Sequence, residues 1–225
     1  HYDIKMNDVF FRDMQIPAPD HNLNIGSGSQ GVQTAEILSV LEAVLEKESP
    51  DWVIVYGDTN TTLAGALAAA KLGLRTAHVE ACLRSFNRAM PEEINRVVAD
   101  HLADLLLCPT PTAMENARRE GLQDKACLVG DIMTDSLKLG LELAKGFSDI
   151  LADLSLQAGS FSLLTLHRPY NVDDPARLEH ILKGLNSLGK TIVFPVHPRT
   201  RNVLAQLNPK NFSCLRFIEP LSYLD

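Results

Sequence analysis

The sequence has no extended block of basic residues, and its formal net charge is −7. Proteins that bind nucleic acids or anionic membranes usually carry a basic patch, so neither partner is expected. No apolar run approaches the roughly 20 residues that a membrane-spanning helix needs. The opening HYDIKMNDVF also lacks the basic and apolar regions of a signal peptide. We therefore expect a soluble, cytoplasmic protein that holds any anionic ligand with a few local groups.

Metal and phosphate motifs are absent as well. The four cysteines show no CxxC pair and no Cys/His spacing typical of a metal site, so we expect reduced thiols. Neither GxxxxGK[ST] nor GxGxxG occurs, and the turn GDTN is therefore not a phosphate loop of either kind.

What the chain does have is a regular alternation of strand-like and helix-forming segments. Apolar runs of strand length occur at 52–56, 75–79, 103–109, 126–130, 162–168, 190–198 and 215–220. Helix-forming segments separate them, and another precedes them at 31–48. Continuous apolar strands indicate parallel sheets covered by helices on both faces, which is the α/β class. The rhythm lapses between Leu139 and Phe161, which predicts two domains at 1–139 and 140–225.

Polar residues follow the predicted strands directly. Ligands of open parallel sheets bind beyond the carboxyl ends of the strands, so these residues are site candidates: Asp58, Glu80, His167, Arg168 and His197. Each also has a purely structural interpretation. Aspartate is a common helix N-cap, Glu80 has Arg84 nearby as an ion-pair partner, and a histidine after a strand is often structural.

The stretch HVEACLRSFNRAMPEEINR carries a second group of charges. Its PEE segment is typical of a helix start, which predicts that Glu93 is a solvated first-turn acid. Glu92 has Arg96 four residues later as a surface ion-pair partner. The apolar stripe of this helix is expected at Ile94, Val97, Val98, Leu102 and Leu105.

A catalytic interpretation competes with the structural one for the same stretch. Glu80 and Glu92 flank a loop that contains Arg84 and Arg88, and the loop follows a strand end beside Asp58. Three carboxylates converging there would raise one another's pKa and exchange protons with a substrate.

Several segments together resemble the non-hydrolysing UDP-N-acetylglucosamine 2-epimerase family: GDTNTTLAGALAAAKLG, HVEACLRSFNRAMPEEINRVVADHLAD, PTPTAMENARREG, LLTLHRPYNVDDPARL and FPVHPRTRN. The opening HYD and the segment NLNIGSGSQGVQT fit the same order. This resemblance implies two Rossmann-like domains that face each other across a cleft, the glycosyltransferase-B architecture. It also implies inversion at C2 of a UDP-sugar by elimination and re-addition of UDP, for cell-surface polysaccharide biosynthesis.

The resemblance also assigns roles to individual residues. The acid/base carboxylates match Asp58, Glu80 and Glu92. The substrate-binding residues match Arg168, His167 and His197, with Arg84 among them and Gln30 in a second, regulatory UDP-sugar pocket. The family resemblance implies a homodimer and neither a metal nor a redox cofactor.

Two departures from the family pattern accompany the resemblance. Cys82 stands where the family usually has glycine, and the family's opening strand and its later Ser-Gly-Gly…Glu-Glu segment are missing. We therefore expect both domains to be incomplete in this chain. Three alternatives stay open: an epimerase of another UDP-sugar such as a diacetamido uronic acid, a hydrolysing epimerase that releases N-acetylmannosamine, and a nucleotide-sugar binding module without turnover.

Overall fold

The computed structural model describes residue 11 and residues 14–225. The opening HYD of the family resemblance lies outside these residues. The chain divides into two compact units, His1–Leu139 and Gly140–Asp225, and each is described by itself below. Both units are built on parallel sheets with helical connections, so the predicted α/β class is confirmed.

The first unit holds a four-stranded parallel sheet in the order β1-β2-β3-β4. Its strands are β1 (Trp52–Tyr56), β2 (Arg75–Val79), β3 (Leu105–Cys108) and β4 (Ala126–Leu128). Its helices are α1 (Gln30–Glu48), α2 (Asn60–Lys71), α3 (Pro91–Leu102) and α4 (Pro111–Arg119), with a 3-10 turn at Gln123–Lys125. Helix α5 (Ile132–Phe147) continues into the second unit.

Helix α2 shows how the local sequence sets these boundaries. Thr59 caps its start, because the Thr59 hydroxyl accepts from the Thr62 amide and the Thr62 hydroxyl accepts from the Thr59 amide. Gly73 follows its end with φ +69°, a backbone conformation that glycine adopts without a steric penalty. Its small residues bring the helix close to the sheet, where a Cβ on Gly65 would lie 2.9 Å from Val55 Cγ1.

The second unit has a three-stranded parallel sheet in the order β5-β6-β7. Its strands are β5 (Ser162–Leu163), β6 (Ile192–Pro195) and β7 (Leu215–Ile218). Its helical segments are α6 (Ile150–Asp153), α7 (Pro169–Val172), α8 (Pro175–Asn186), α9 (Pro198–Leu204) and a 3-10 turn at Pro209–Asn211. A core of fully buried side chains fills this unit, including Leu178, Leu182, Phe194 and Phe212.

The prediction that every strand is covered on both faces is wrong for β1. Trp52, Ile54 and Tyr56 are exposed, and they share one face because alternate residues of a strand point the same way. No helix of the described residues covers that face of this edge strand. Among the same residues, no helix is both long and apolar enough to cross a bilayer.

Candidate active site

Two carboxylates meet at the carboxyl edge of the first sheet. Asp58 lies two residues after β1 and Glu80 directly after β2, and these two strands pair in parallel from Trp52↔Arg75 to Tyr56↔Val79. Parallel pairing brings the ends of both strands to the same edge. Both side chains are about one-third exposed, at 33% and 31%, so they are accessible to a ligand.

Arg96 joins these two carboxylates. Its Nη2 lies 2.5 Å from Asp58 Oδ2 and 3.1 Å from Glu80 Oε1. Its Nη1 donates to the main-chain carbonyl of Glu80. A planar guanidinium can serve several acceptors in this way while its charge balances part of theirs. The predicted surface pair of Arg96 with Glu92 is therefore wrong, and Arg96 is a site residue that the sequence analysis missed.

Helix α3 turns a polar face inward, which contradicts the predicted apolar stripe at Ile94 and Val98. Leu102 does pack against the core, whereas Leu105 lies on β3 and not on the helix. Ile94 and Val98 are exposed, whereas Asn95, Arg96 and Asp100 are buried. The Asn95 side-chain amide donates to the Asp58 carbonyl and to Asn60 Oδ1, both at 3.0 Å. The helix thus presents hydrogen-bonding groups to the site.

The turn after β2 has an unusual backbone. Glu80 and Cys82 have φ values of +67° and +61°, a region that side-chain-bearing residues rarely adopt. The Cys82 amide donates to both oxygens of Asp100, at 3.2 and 3.1 Å, and Asn116 donates to the Cys82 carbonyl. The left-handed conformation explains in physical terms why glycine suits this position. Here the contacts of the cysteine backbone hold the same conformation.

A buried ion network lies beneath this turn. Arg84 Nη1 lies 2.6 Å from Asp100, and Arg84 Nε lies 2.7 Å from Glu120. His78 Nδ1 lies 2.7 Å from Asp100, and both of these side chains are fully buried. The alternative pairing of Glu80 with Arg84 is therefore wrong. The guanidinium of Arg84 is committed to protein groups, and its substrate contact stays a prediction.

The two glutamates at the start of α3 differ sharply. Glu92 is exposed in the first turn, and no hydrogen bond joins it to Asp58 or Glu80 among the described residues. Glu93 is buried, and its carboxylate accepts from the Ser85 amide, the Ser85 hydroxyl and the Phe86 amide at 2.8 to 3.0 Å. The prediction of a solvated Glu93 is wrong, because this side chain holds the loop between Glu80 and Glu92 through Ser85 and Phe86.

Hydrogen bonding also sets the protonation of Glu93. Burial alone raises the pKa of a carboxyl group, but the bonds from Ser85 and Phe86 outweigh it and lower the pKa of Glu93. Its ionised form is the one that holds the loop.

The outer face of α3 borders a separate pocket of about 390 Å³. Phe86, Ile94 and Val98 contribute apolar surface there, and Arg88 contributes a cation. Neither Asp58 nor Glu80 lines this pocket, so the carboxylates and the pocket lie on different faces of the helix.

Gln30 is the first residue of α1 and is exposed. One turn further along, the side chain of Gln33 accepts from Asn60 at 2.8 Å and donates to the Gly26 carbonyl. The side-chain amides of Gln33 and Asn60 therefore connect the loop before α1 to the start of α2. The regulatory role of Gln30 stays a prediction.

In the second unit, basic residues collect at the carboxyl ends of β5 and β6. The rings of His167 and His197 lie 5.4 Å apart between centroids, and Arg168 directly precedes α7. The Thr200 hydroxyl donates to the Leu166 carbonyl at 2.8 Å, which ties the segment before His167 to α9. The structure thus brings the two predicted histidines together.

His197 also caps helix α9. Its Nδ1 accepts from the Arg199 amide at 3.1 Å, so its Nε2 carries the proton of the neutral ring. Burial first, and then the neighbouring His167 and Arg199, lower the pKa of His197. This side chain is therefore a neutral donor at neutral pH.

A family model described as UDP-N-acetylglucosamine 2-epimerase matches residues 1–225. The UDP-N-acetylglucosamine 2-epimerase homolog of Methanococcus maripaludis is 48% identical over 231 residues. The UDP-2,3-diacetamido-2,3-dideoxy-D-glucuronate 2-epimerase of Pseudomonas aeruginosa is 46% identical, also over 231 residues. Each alignment covers 100% of this chain, but 64% of the first relative and 63% of the second.

The similar solved structures are also UDP-GlcNAc 2-epimerases. The Methanocaldococcus jannaschii UDP-GlcNAc 2-epimerase, in complex with UDP-GlcNAc and UDP, is similar with a TM-score of 0.86 and 44% identity. The similarity covers 100% of this chain and 64% of that one. The Neisseria meningitidis UDP-GlcNAc 2-epimerase bound to UDP-GlcNAc has a TM-score of 0.84 and 30% identity, covering 98% and 63% respectively. The chain thus spans somewhat less than two-thirds of the length of these relatives.

Proposed function

The chain belongs to the UDP-N-acetylglucosamine 2-epimerase family, and on that premise we propose that it contributes to the interconversion of UDP-N-acetylglucosamine and UDP-N-acetylmannosamine. The observation that carries this proposal is the meeting of Asp58 and Glu80 at one guanidinium, at the carboxyl edge of a parallel sheet. Such a pair can take a proton from a bound sugar and return one to it.

The proposed reaction runs in two steps. A carboxylate removes the proton at C2 while the bond between C1 and the diphosphate oxygen breaks, so UDP departs as an anion and leaves a glycal. A proton then returns to C2 on the opposite face, and the diphosphate oxygen adds back to C1. The C2 proton is weakly acidic, so the reaction needs a positioned base and cations to stabilise the departing charge. We propose Asp58, Glu80 and Glu92 as the acid/base groups.

The second unit is proposed to hold the diphosphate. His167, Arg168 and His197 lie after neighbouring strands, and Arg168 is exposed and available to an anion. A neutral His197 donates a hydrogen bond through Nε2, which supports a contact with a phosphate oxygen. Asp173 already pairs with Arg199 at 2.6 Å, so Arg168 is the better candidate for the charge-assisted contact.

The test is solvent exchange at C2 in the intact protein. UDP-N-acetylglucosamine is incubated in heavy water with wild type, Asp58→Asn, Glu80→Gln or Glu92→Gln. We expect each substitution to lower the rate of deuterium incorporation by about 100-fold, with UDP affinity by calorimetry near the wild-type value. Glu115→Gln is the matched control, because that carboxylate pairs with Arg118 and Arg119 on the surface of α4. Near-wild-type exchange in all three variants would refute the proposed roles.

One of the relatives supports a second candidate substrate. The relative from Pseudomonas aeruginosa is named for a diacetamido glucuronate and is 46% identical, close to the 48% of the Methanococcus relative. The same assay with that UDP-sugar decides between the two. Faster exchange with the uronate would reassign the substrate and leave the acid/base roles intact.

The proposed assembly is a homodimer, which rests on the family resemblance, and the proposed compartment is the cytoplasm. All four cysteines are free, which suits a reducing compartment. Sedimentation of the intact protein at twice the mass of one intact polypeptide would support the dimer, and sedimentation at the mass of one polypeptide would refute it.

A further inference from the structure

We propose that the buried pair His78 and Asp100 positions the carboxylates of Asp58 and Glu80 for proton transfer, an inference that rests on the proposed function. Neither residue touches the substrate in this proposal, so both are positioning residues. His78 lies on β2 and Asp100 on α3, and the side chains of both are completely inaccessible to solvent.

The first connection runs from His78 to Asp58. His78 Nε2 lies 2.7 Å from the Gly57 carbonyl oxygen. That carbonyl and the Asp58 amide belong to one planar peptide, so fixing the oxygen fixes the plane from which Asp58 departs. Gly57 has φ +65° and no side chain, and without a partner this peptide would rotate more freely than most. The Gly57 amide donates to the Val79 carbonyl at 3.1 Å, so β2 holds the peptides on both sides of Gly57.

The second connection runs from Asp100 to Glu80. Both Asp100 oxygens accept from the Cys82 amide, which fixes the peptide between Ala81 and Cys82. Glu80 lies one residue before that peptide and has φ +67°, a strained conformation that persists only where neighbouring contacts hold it. Because Asp100 also contacts His78 Nδ1 at 2.7 Å, the two turns share a single support.

The hydrogen-bond chemistry fixes what His78 must do. A carbonyl oxygen can only accept, so His78 Nε2 carries a proton and donates it to Gly57. Nδ1 lies 2.7 Å from an Asp100 oxygen, and a proton must lie between the two atoms because two bare acceptors would repel each other at that distance. Arg84 lies 2.6 Å from the other Asp100 oxygen and Glu120 lies 2.7 Å from Arg84, so each charge in this buried region faces an opposite charge.

Positioning of this kind has a measurable value. An acid/base group displaced by about 1 Å from its productive position can lose about 100-fold in rate. Asp58 and Glu80 are each held by Arg96 at the carboxylate end, but Arg96 leaves the backbone of the Gly57 turn untouched. His78 contacts the Gly57 carbonyl itself, whereas the Asn95 amide and the Thr62 hydroxyl hold the carbonyls of Asp58 and Tyr56 on either side.

Two amide variants of the intact protein separate the two contacts of His78. In His78→Gln the side-chain nitrogen reaches the position of Nε2 and still donates to Gly57, while the contact with Asp100 is lost. In His78→Asn the side chain reaches Asp100 but not Gly57. We expect His78→Asn to lower kcat for C2 exchange by about 100-fold with KM within about threefold, and His78→Gln to lower kcat by less than about 10-fold.

Stability measurements separate positioning from folding. Both amide variants should lower the melting temperature by similar amounts, because each loses one buried hydrogen bond. Asp104→Ala is the matched control: Asp104 accepts from the Thr76 amide at 2.8 Å, at the opposite end of β2 from the site. It should lower the melting temperature and leave kcat unchanged. Equal kcat losses in the two His78 variants, or wild-type kcat in folded His78→Asn, would overturn the inference.

Asp100→Asn tests the second half of the pair. Asparagine can accept from the Cys82 amide and donate to His78 Nδ1, so the geometry of both turns survives while Arg84 loses a charged partner. We expect a lower melting temperature with kcat within about 10-fold of wild type. A kcat loss as large as that of His78→Asn would show that Asp100 acts by charge, and would overturn its positioning role.

A measurement on wild type covers the case in which His78→Asn does not fold. The long-range nitrogen–proton spectrum of the histidine rings, with His78 assigned by its absence in His78→Gln, should show a protonated Nε2. A bare Nε2 would overturn the inference. Wild-type protein without any C2 exchange would refute the proposed function and this inference with it, whereas active wild type with an insensitive His78→Asn would refute the inference alone.

Discussion

Glu93 is a buried carboxylate in the first turn of helix α3, a position at which acids are usually solvated. In the structure it accepts three hydrogen bonds from Ser85 and Phe86. Phe86 has φ +56°, a conformation that would not persist without support. The hydrogen bonds from this loop to Glu93 supply that support.

We expect Glu93→Gln to lower the free energy of unfolding by about 1 to 2 kcal/mol at pH 6, because a neutral amide has one acceptor oxygen instead of an ionised pair. The pKa of Glu93 is lowered in the folded state. A lowered pKa stabilises the fold fully above the ordinary value of 4.5, and the contribution is lost as the pH falls through the folded value. Urea unfolding from pH 6 down to pH 3 should therefore show the difference between the variants shrinking below pH 4.5. A constant difference would show that the ionised form is not what holds the loop.

Thr76 offers the opposite case at the same scale. It is fully buried on β2, and its hydroxyl has no hydrogen-bond partner among the described residues. Thr76→Val keeps the shape and the strand preference of the side chain while removing an unpaired polar group. We expect it to raise the free energy of unfolding by about 1 kcal/mol.

The measurement for Thr76→Val is urea unfolding at neutral pH, with Thr110→Val as the control. The Thr110 hydroxyl accepts from the Ala113 amide at the start of α4, so its removal should destabilise the protein by about 1 kcal/mol. Destabilisation of the same size in both variants would indicate that Thr76 has a partner.

At the scale of elements, hydrophobic periodicity predicts the sheets well. All seven strands of the described residues lie within predicted apolar runs. This holds even though β1 exposes one face and both residues of β5 are exposed. The predicted run at 162–168 is longer than β5, because its later residues leave the sheet towards His167 and Arg168. The carboxyl ends of the strands then predict Asp58 and Glu80.

Helix α3 marks the limit of that reasoning. Its apolar residues predicted the wrong buried face. Hydrophobicity measures the cost of exposing an apolar side chain to water, and it does not indicate whether a buried polar side chain will find a hydrogen-bond partner. Asn95, Arg96 and Asp100 face His78 and the two acids, which are distant in sequence. Only the tertiary arrangement of β1 and β2 makes those positions favourable for charge.

A pair of substitutions tests this orientation of α3. Val98→Ser on the exposed face should change the free energy of unfolding by less than about 0.5 kcal/mol. Arg96→Met on the inner face should lower it by about 2 kcal/mol, because two carboxylates lose their shared cation. This loss stays below that of a fully buried pair, since Asp58 and Glu80 are about one-third exposed. Chemical denaturation measures both, and a larger loss for Val98→Ser would mean that the helix is turned the other way.

At the scale of the whole molecule, the described side chains form separate cores. One cluster contains Leu178, Leu182 and Phe194 and lies wholly in the second unit. Another contains Leu106 and Cys108 and lies wholly in the first. Buried side chains transmit the energetic effect of a cavity to the residues that pack against them, and these two sets have no member in common.

We expect the two units to respond separately to cavities. Leu182→Ala should destabilise the second unit by about 2 to 5 kcal/mol, because Leu182 is completely buried. Amide hydrogen exchange read by mass spectrometry should then accelerate in β6, β7 and α8 while β2 and β3 keep their wild-type protection. Leu106→Ala, also at a completely buried position, is the mirror control and should accelerate exchange in β2 and β3 alone. Equal acceleration in both sheets from either variant would show that the chain unfolds as one cooperative unit. The acid/base candidates of the first unit and the basic candidates of the second would then depend on one free energy of unfolding.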